Sequence, residues 1–159
     1  MGKYMILIMI FTLSITTTSG QITCKILDGK SVNNPVNVVG TIKMEGLSKN
    51  DVFNKIASWA SIKIPATEAA YISDRELGII KGVMRINYVY KKGFRYTLYN
   101  IILQAKDGEF NYTLNNFLMN KRTMEQYLIQ KKGDKYYKQS FEDICLKIEA
   151  VVKELTEIL

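Results

Sequence analysis

A stretch of alternating apolar and polar residues, divided by two turn signals, constrains the fold of this chain more than any other feature of its sequence. Between Ile80 and Tyr90 the apolar residues recur at every second position, which is the period of a half-buried β-strand. Lys92-Gly93 then turns the chain, and Asp107-Gly108 turns it again. Asp-Gly is among the strongest short-range hairpin signals. The sequence therefore predicts three consecutive antiparallel strands.

The register of these strands follows from the turns. If the second turn contains two residues, Lys106 faces Glu109 and Ile101 faces Leu114. If the first turn also contains two residues, Met84 faces Ile101. Both registers keep one face apolar across all three strands, whereas a slip by one residue would send every side chain to the other face.

The opposite face of the predicted sheet mixes apolar, amide and basic side chains. Such a composition is typical of a surface that contacts another molecule. Two alternatives remain open, because another segment of the same chain could cover this face, or the face could simply be exposed. The candidate partner-binding residues are Arg85, Asn87, Tyr96, Leu98, Asn100, Ile102, Asn111 and Thr113.

Two capping patterns predict helices on either side of this sheet. Ser48 to Asp51 predicts a helix that ends before Pro65, and Ser140 to Asp143 predicts the start of a C-terminal amphipathic helix. Strands are predicted at 36–44 and around 69–73. The helices need an apolar surface to cover, so we expect an α+β domain with a curved antiparallel sheet and two helices packed on one face, in the order β-α-β-β-β-β-α.

The first 20 residues have the features of an export signal. Lys3 precedes an apolar run of about 12 residues, which is too short to span a bilayer that needs roughly 20. Small residues then lead to a predicted cleavage site near Gly20/Gln21. We expect a signal peptide at 1–20, an irregular segment at 21–35 and a single domain at 36–159. The protein would be exported, periplasmic or secreted, with no transmembrane helix in the mature chain. Two alternatives to a signal peptide remain. The apolar run could be a buried helix or strand of the folded protein, or it could belong to a lipoprotein signal that ends at Cys24.

The net charge and the composition of the chain limit the classes of partner and of catalytic site that it can have. The formal net charge is +7, or +6 without Lys3 of the leader, and such a balance favours acidic partners. Histidine is absent, which excludes histidine-based triads and argues against zinc enzymes. Asp74 and Glu76 offer paired carboxylates, although acids in a polar turn are usually solvated. We therefore predict no catalytic residues, no metal and no cofactor.

A basic segment follows the predicted sheet. Its lysines are interspersed with tyrosines, a combination that suits polyanions. Because export makes nucleic acid less accessible, we expect an acidic glycan or a lipid headgroup rather than nucleic acid. The candidate polyanion-binding residues are Lys131, Lys132, Lys135 and Lys138.

The chain contains two cysteines, Cys24 and Cys145. In an oxidising compartment they could pair, and closing so long a loop would contribute on the order of 4 to 5 kcal/mol in the chain-entropy model. Alternatively, Cys145 could remain a free thiol on the apolar stripe of the C-terminal helix.

Several motifs between about Val38 and Phe117 carry a family resemblance. They are the stretch from Gly46 to Asp51, Trp59, Gly82, Tyr96-Thr97-Leu98, and the stretch from Lys106 to Thr113. In these residues the chain resembles a bacterial domain-of-unknown-function family described as having a TBP-like fold, whose members typically carry an export signal. The family often shows a basic or aromatic residue at the position of Glu109. The resemblance implies a fold and no activity, since function resides in sites rather than folds.

Together these features favour a non-enzymatic binding or interaction module of the cell envelope that uses the open sheet face and contacts an envelope protein. The alternative is a basic surface that binds an acidic polysaccharide or lipid headgroup. An enzyme that uses the loop carboxylates is the least favoured hypothesis.

Overall fold

The computed structural model describes residues 37–65, 71–119, 122–123 and 135–158. Six strands and two helices lie in these ranges. In chain order they are β1 (Val38–Lys43), α1 (Lys49–Lys63), β2 (Ile72–Asp74), β3 (Ile79–Tyr90), β4 (Gly93–Lys106), β5 (Glu109–Met119), β6 (Arg122–Thr123) and α2 (Lys135–Thr156).

The strands form one antiparallel sheet in the order β1-β5-β4-β3-β2. The short strand β6 pairs with the end of β5, on the side that β1 occupies nearer the start of β5. The long β3–β4 and β4–β5 hairpins therefore make up the centre of the sheet, and α1 connects the edge strand β1 to the opposite edge.

The predicted register of β4 and β5 is confirmed near their turn. Lys106 pairs with Glu109 and Ile101 pairs with Leu114, around the two-residue turn Asp107-Gly108. Gly108 adopts a φ of 70°, which a residue without a side chain reaches readily. The Asp-Gly signal thus identified both the turn and the pairing that follows from it.

The predicted register of β3 and β4 is wrong by two residues. Met84 pairs with Tyr99 rather than with Ile101, because Lys91 and Lys92 form the turn and Gly93 is already the first residue of β4. Lys91 has a positive φ of 56° in this turn. A shift by an even number leaves each side chain on its predicted face.

A β-bulge in β5 changes the side of the sheet on which Phe117 lies. The pairing with β4 shifts between Leu98 and Asn100, and Asn116 lies there with a φ of 53°. Regular alternation along β5 would place Phe117 on the side of the sheet away from the helices, and the extra residue turns it into the core instead. There its ring stacks on Tyr99 with centroids 5.2 Å apart.

The first helix begins and ends as predicted. Ser48 is the N-cap, and its hydroxyl accepts a hydrogen bond from the Asp51 amide at 3.3 Å. Ile64 ends the helix in an extended conformation, as the following proline requires. Ile64 then packs directly over Gly82, where a Cβ atom would lie 2.5 Å from the Ile64 Cγ2 atom.

The second helix begins earlier than predicted. Ser140 is buried inside α2 rather than at its N-cap, and the helix starts at Lys135. The Ser140 hydroxyl lies 2.7 Å from the Val89 carbonyl oxygen and 2.9 Å from that of Tyr136, one helical turn earlier. Because its hydroxyl makes these contacts, Ser140 connects α2 to β3 and is not the N-cap of the helix.

The predicted α+β fold, with two helices on one sheet face, is confirmed. The apolar sides of both helices and one side of the sheet share a single core. Lys63 of α1 and Glu154 of α2 form a salt bridge at 2.8 Å across the helical layer. Within the ranges that the structure describes, no helix has both the length and the apolar character required to cross a bilayer.

Candidate functional site: the open face of the sheet

The side of the sheet opposite the helices carries all eight candidate partner-binding residues, and we call it the open face. Strand register places them, because residues paired across antiparallel strands point to the same side. They come from the three central strands β3, β4 and β5. Arg85, Asn87 and Tyr96 are exposed, whereas Leu98, Asn100, Ile102, Asn111 and Thr113 are half-buried.

The middle of the open face consists of rows of paired residues that run across the strands. Ile102 lies between Thr113 of β5 and Lys81 of β3. Two residues earlier along β4, Asn100 lies between Asn115 and Val83. Amide, hydroxyl and branched apolar groups therefore alternate over short distances, and the face can offer hydrogen bonds and apolar contacts together.

The corrected register of β3 and β4 changes which candidate residues meet. Arg85 pairs with Leu98, and Asn87 pairs with Tyr96. The Arg85 guanidinium lies 5.7 Å from the centroid of the Tyr96 ring, a cation–π arrangement that orients both side chains. The uncorrected register would have placed Arg85 opposite Asn100, away from this ring.

Polar side-chain contacts connect β1 to β5 on the open face. The Thr41 hydroxyl donates a hydrogen bond to the Asn111 side-chain oxygen at 2.8 Å. Glu109 forms an ion pair with Lys43 and lies 3.9 Å from the Lys106 ammonium. The hydrogen bond from Lys43 lowers the pKa of the Glu109 carboxyl, and the positive charges of Lys43 and Lys106 act in the same direction. This carboxylate is therefore engaged within the sheet.

Sequence reasoning missed several exposed apolar residues of this face. Val39 of β1 is 61% exposed and pairs with Thr113, while Ile72 of β2 is 54% exposed and pairs with Lys81. Phe94 is 85% exposed and lies two residues before Tyr96 on β4. The period of two could have identified Phe94. Identifying Val39 and Ile72 as part of this face required knowledge of the strand order.

The loop carboxylates have local structural contacts. Asp74 accepts a hydrogen bond from the Leu77 amide at 2.9 Å, which closes the turn after β2. The Glu76 side chain is exposed, and its backbone carbonyl accepts a hydrogen bond from Lys49 at 2.7 Å. The prediction that the chain has no catalytic residues remains a prediction.

The candidate polyanion-binding lysines are not brought together by the described part of the chain. Lys131 and Lys132 lie outside the described residues. Lys135 and Lys138 belong to the beginning of α2, and their side chains also lie outside the description. This candidate site therefore stays a prediction.

Cys145 lies on the buried side of α2, 8% exposed, and it is disulfide-bonded. Cys24, the other cysteine of the chain, lies outside the described residues. The pairing of the two cysteines stays a prediction.

The sheet and the two helices packed on one of its sides define an α+β protein of the TBP-like class. Residues 39–120 match the profile of a family described as a domain of unknown function (DUF4468) with TBP-like fold. Since this match covers just over half of the chain, the protein belongs to that family, and the predicted resemblance is confirmed.

Two solved structures share the fold. A DUF4468 family protein from Bacteroides ovatus is 17% identical, with a TM-score of 0.56 over 75% of this chain and 84% of that chain. A TBP-like protein from Parabacteroides distasonis is 14% identical, with a TM-score of 0.63 over 79% of this chain and 93% of that chain. Among curated proteins no match is found. At such identities the two structures establish the fold alone.

Proposed function

We propose that this protein is a non-enzymatic interaction module of the cell envelope and that its open face binds a partner protein. The observation that carries the proposal is a broad sheet surface, lined by five strands, that exposes large apolar side chains on the side away from both helices. Exposed apolar side chains that cluster on one surface are typical of interaction sites.

The composition of the open face suits a protein partner. Aromatic and arginine side chains are enriched in protein interfaces, and Tyr96 and Arg85 already hold each other in place. Held in this way, they have less conformational freedom to lose on binding. Asn87 and Asn100 supply donors and acceptors beside the apolar residues Leu98 and Ile102.

The location in the envelope depends on the leader. An apolar run that is short, preceded by a lysine and followed by small residues supports export. Intact mass spectrometry of natively produced protein tests this part of the proposal. We expect a mature chain that begins at Gln21. A soluble intracellular form that retains Met1 to Gly20 would contradict the proposed location.

Photo-crosslinking tests the open face. A photo-reactive phenylalanine analogue at Asn87, which is exposed on this face, is expected to crosslink to one envelope protein in living cells. The same analogue at Leu146, which is 64% exposed on α2, is the matched control. If both positions give the same products, or if Asn87 gives none, the open face is not the binding surface.

Substitution of the half-buried apolar residues provides an independent test. Leu98→Ser and Ile102→Ser should each abolish the Asn87 crosslink, because they remove apolar contacts from the centre of the surface. Thermal unfolding of each variant shows whether the domain still folds. Ile62→Ser, a change at an 81% exposed residue of α1, should leave the crosslink intact.

A further inference from the structure

The β3–β4 hairpin carries almost all the excess positive charge of the chain. Residues 79–106 contain six lysines and arginines and no aspartate or glutamate, while the formal net charge of the whole chain is +7. Cationic residues on other segments are largely balanced by carboxylates. This asymmetry gives one long hairpin a strongly positive field.

The end of this hairpin combines cations with exposed apolar groups. We call Val89, Lys91, Lys92, Phe94 and Arg95 the hairpin tip. Lys91 and Lys92 form the turn, and both are exposed. Phe94 is 85% exposed and pairs with Val89, which is 52% exposed. Arg95 is also exposed, and its guanidinium donates a hydrogen bond to the Phe94 carbonyl at 3.1 Å.

The chemistry of the tip distinguishes among classes of partner. Lysine is depleted in protein interfaces, yet two lysines lie directly beside the most exposed aromatic residue of the open face. Single-stranded nucleic acids bind along grooves where successive bases stack on aromatic rings. Here Phe94 pairs with the aliphatic Val89, and the neighbouring ring, Tyr96, is already in contact with the Arg85 guanidinium. Anionic bilayers attract lysine and arginine to the headgroups while apolar side chains enter the acyl boundary.

We propose that the hairpin tip docks onto an anionic lipid surface, with Phe94 and Val89 inserted at the headgroup boundary and Lys91, Lys92 and Arg95 at the lipid phosphates. This proposal goes beyond the partner-binding role of the open face and does not depend on it. It gives the positive charge of the hairpin a role, which is to bind the phosphates of anionic lipids.

Vesicle flotation tests the proposal. The protein, in the form in which its host produces it, is mixed with equimolar phosphatidylcholine and phosphatidylglycerol vesicles or with pure phosphatidylcholine vesicles. We expect flotation with the anionic vesicles only, and its loss at high salt. Neutralising a lysine near such a surface weakens binding by about fivefold, so Lys91→Gln with Lys92→Gln should weaken it by about twenty-five-fold.

Phe94→Ser separates insertion from simple charge attraction. Removing the phenyl group should weaken vesicle binding by about tenfold. Ile62→Ser is the matched control for exposure, and Lys55→Gln with Lys153→Gln, on the two helices, is the matched control for charge. Neither control should weaken binding by more than about twofold. Circular dichroism establishes that each variant remains folded.

Four results would overturn the proposal: no flotation with anionic vesicles, equal flotation with pure phosphatidylcholine, equal losses in the tip and control variants, or Phe94→Ser binding as tightly as the wild type. If the tip variants instead lose binding to single-stranded DNA or heparin while vesicles are never bound, the ligand is a soluble polyanion and the lipid proposal is wrong. The crosslink from Asn87 is measured separately, so failure here leaves the open-face proposal intact.

Discussion

At the scale of single residues, burial sets the acid–base behaviour of the core tyrosines. Tyr99 is 1% exposed, and burial raises the pKa of its hydroxyl well above its usual range, with a further rise from the negative charge of Glu154. Burial also raises the pKa of Tyr112. In the native protein both rings therefore remain protonated at a pH where an exposed tyrosine would ionise.

We predict that this core makes the protein sensitive to alkali. Above about pH 10 the unfolded chain releases the Tyr99 proton and the native state does not, so the free energy of unfolding falls as the pH rises. Tyr99→Phe should make this fall shallower. At neutral pH it should change stability by less than about 1 kcal/mol, because the hydroxyl makes only a weak contact with the Met84 sulfur at 3.4 Å.

Urea unfolding between pH 8 and pH 11 would measure the alkaline effect, a range that begins below the ordinary tyrosine pKa. Tyr96→Phe, a change at a 53% exposed ring of the open face, is the control for the loss of a tyrosine hydroxyl. Identical profiles for Tyr99→Phe and the wild type would mean that this ring does not contribute to alkaline unfolding.

At the scale of structural elements, the bulge of β5 decides which side chains the sheet buries. Asn116 is the extra residue, and the bulge that it forms lets Phe117, two residues after the outward-facing Asn115, point into the core and stack on Tyr99. A φ of 53° is accessible to asparagine and glycine but strained for a β-branched residue.

Asn116→Val should therefore lower the free energy of unfolding by about 1–3 kcal/mol, whereas Asn116→Gly should preserve it. Asn115→Val is the matched control, since Asn115 pairs regularly with Asn100 and a strand accommodates valine well. Chemical denaturation ranks the three variants. The bulge has no such role if Asn116→Val is as stable as Asn115→Val.

The contact between α2 and β3 gives a second prediction at this scale. Ser140→Ala leaves the Val89 carbonyl without the hydroxyl that now lies 2.7 Å away, and we expect a loss of about 1–3 kcal/mol in the free energy of unfolding. Ser58→Ala is the control. Its hydroxyl also donates to the carbonyl four residues earlier, but it is exposed, so its loss should cost less than about 0.5 kcal/mol. Equal effects of the two changes would show that the strand contact is unimportant.

At the scale of the whole molecule, a covalent link is expected to join the N-terminal region to the helical layer. Cys145 is disulfide-bonded, and Cys24 is the only other cysteine in the sequence. We predict a Cys24–Cys145 peptide in a non-reducing digest of the isolated protein. Cys24→Ser should destabilise the domain by on the order of 4 to 5 kcal/mol if the chain-entropy model holds.

Cys145→Ser and the double variant should show nearly the same loss as Cys24→Ser, because each removes the same bond. Thermal unfolding with and without reductant measures it. Two titratable thiols in the unfolded, unreduced protein would contradict the pairing.

Local patterns in the sequence were sufficient to predict the faces of β3 and β4, the Asp107-Gly108 turn, the limits of α1 and the α+β fold class. The reason is physical: side-chain alternation, capping and proline act over a few neighbouring residues, and those residues are all visible in the sequence. Export and the class of partner were inferred from the sequence too, and they remain proposals.

Three features could be established only from the folded protein: the register of β3 and β4, the bulge at Asn116, and the contact of Ser140 with β3. Alternation cannot detect a shift by two residues, since every side chain keeps its face. Lys91 and Asn116 have positive φ angles, and the Ser140 hydroxyl donates a hydrogen bond to the distant Val89 carbonyl. These features depend on how the sheet and the helices pack, and residues far apart in the chain determine that packing.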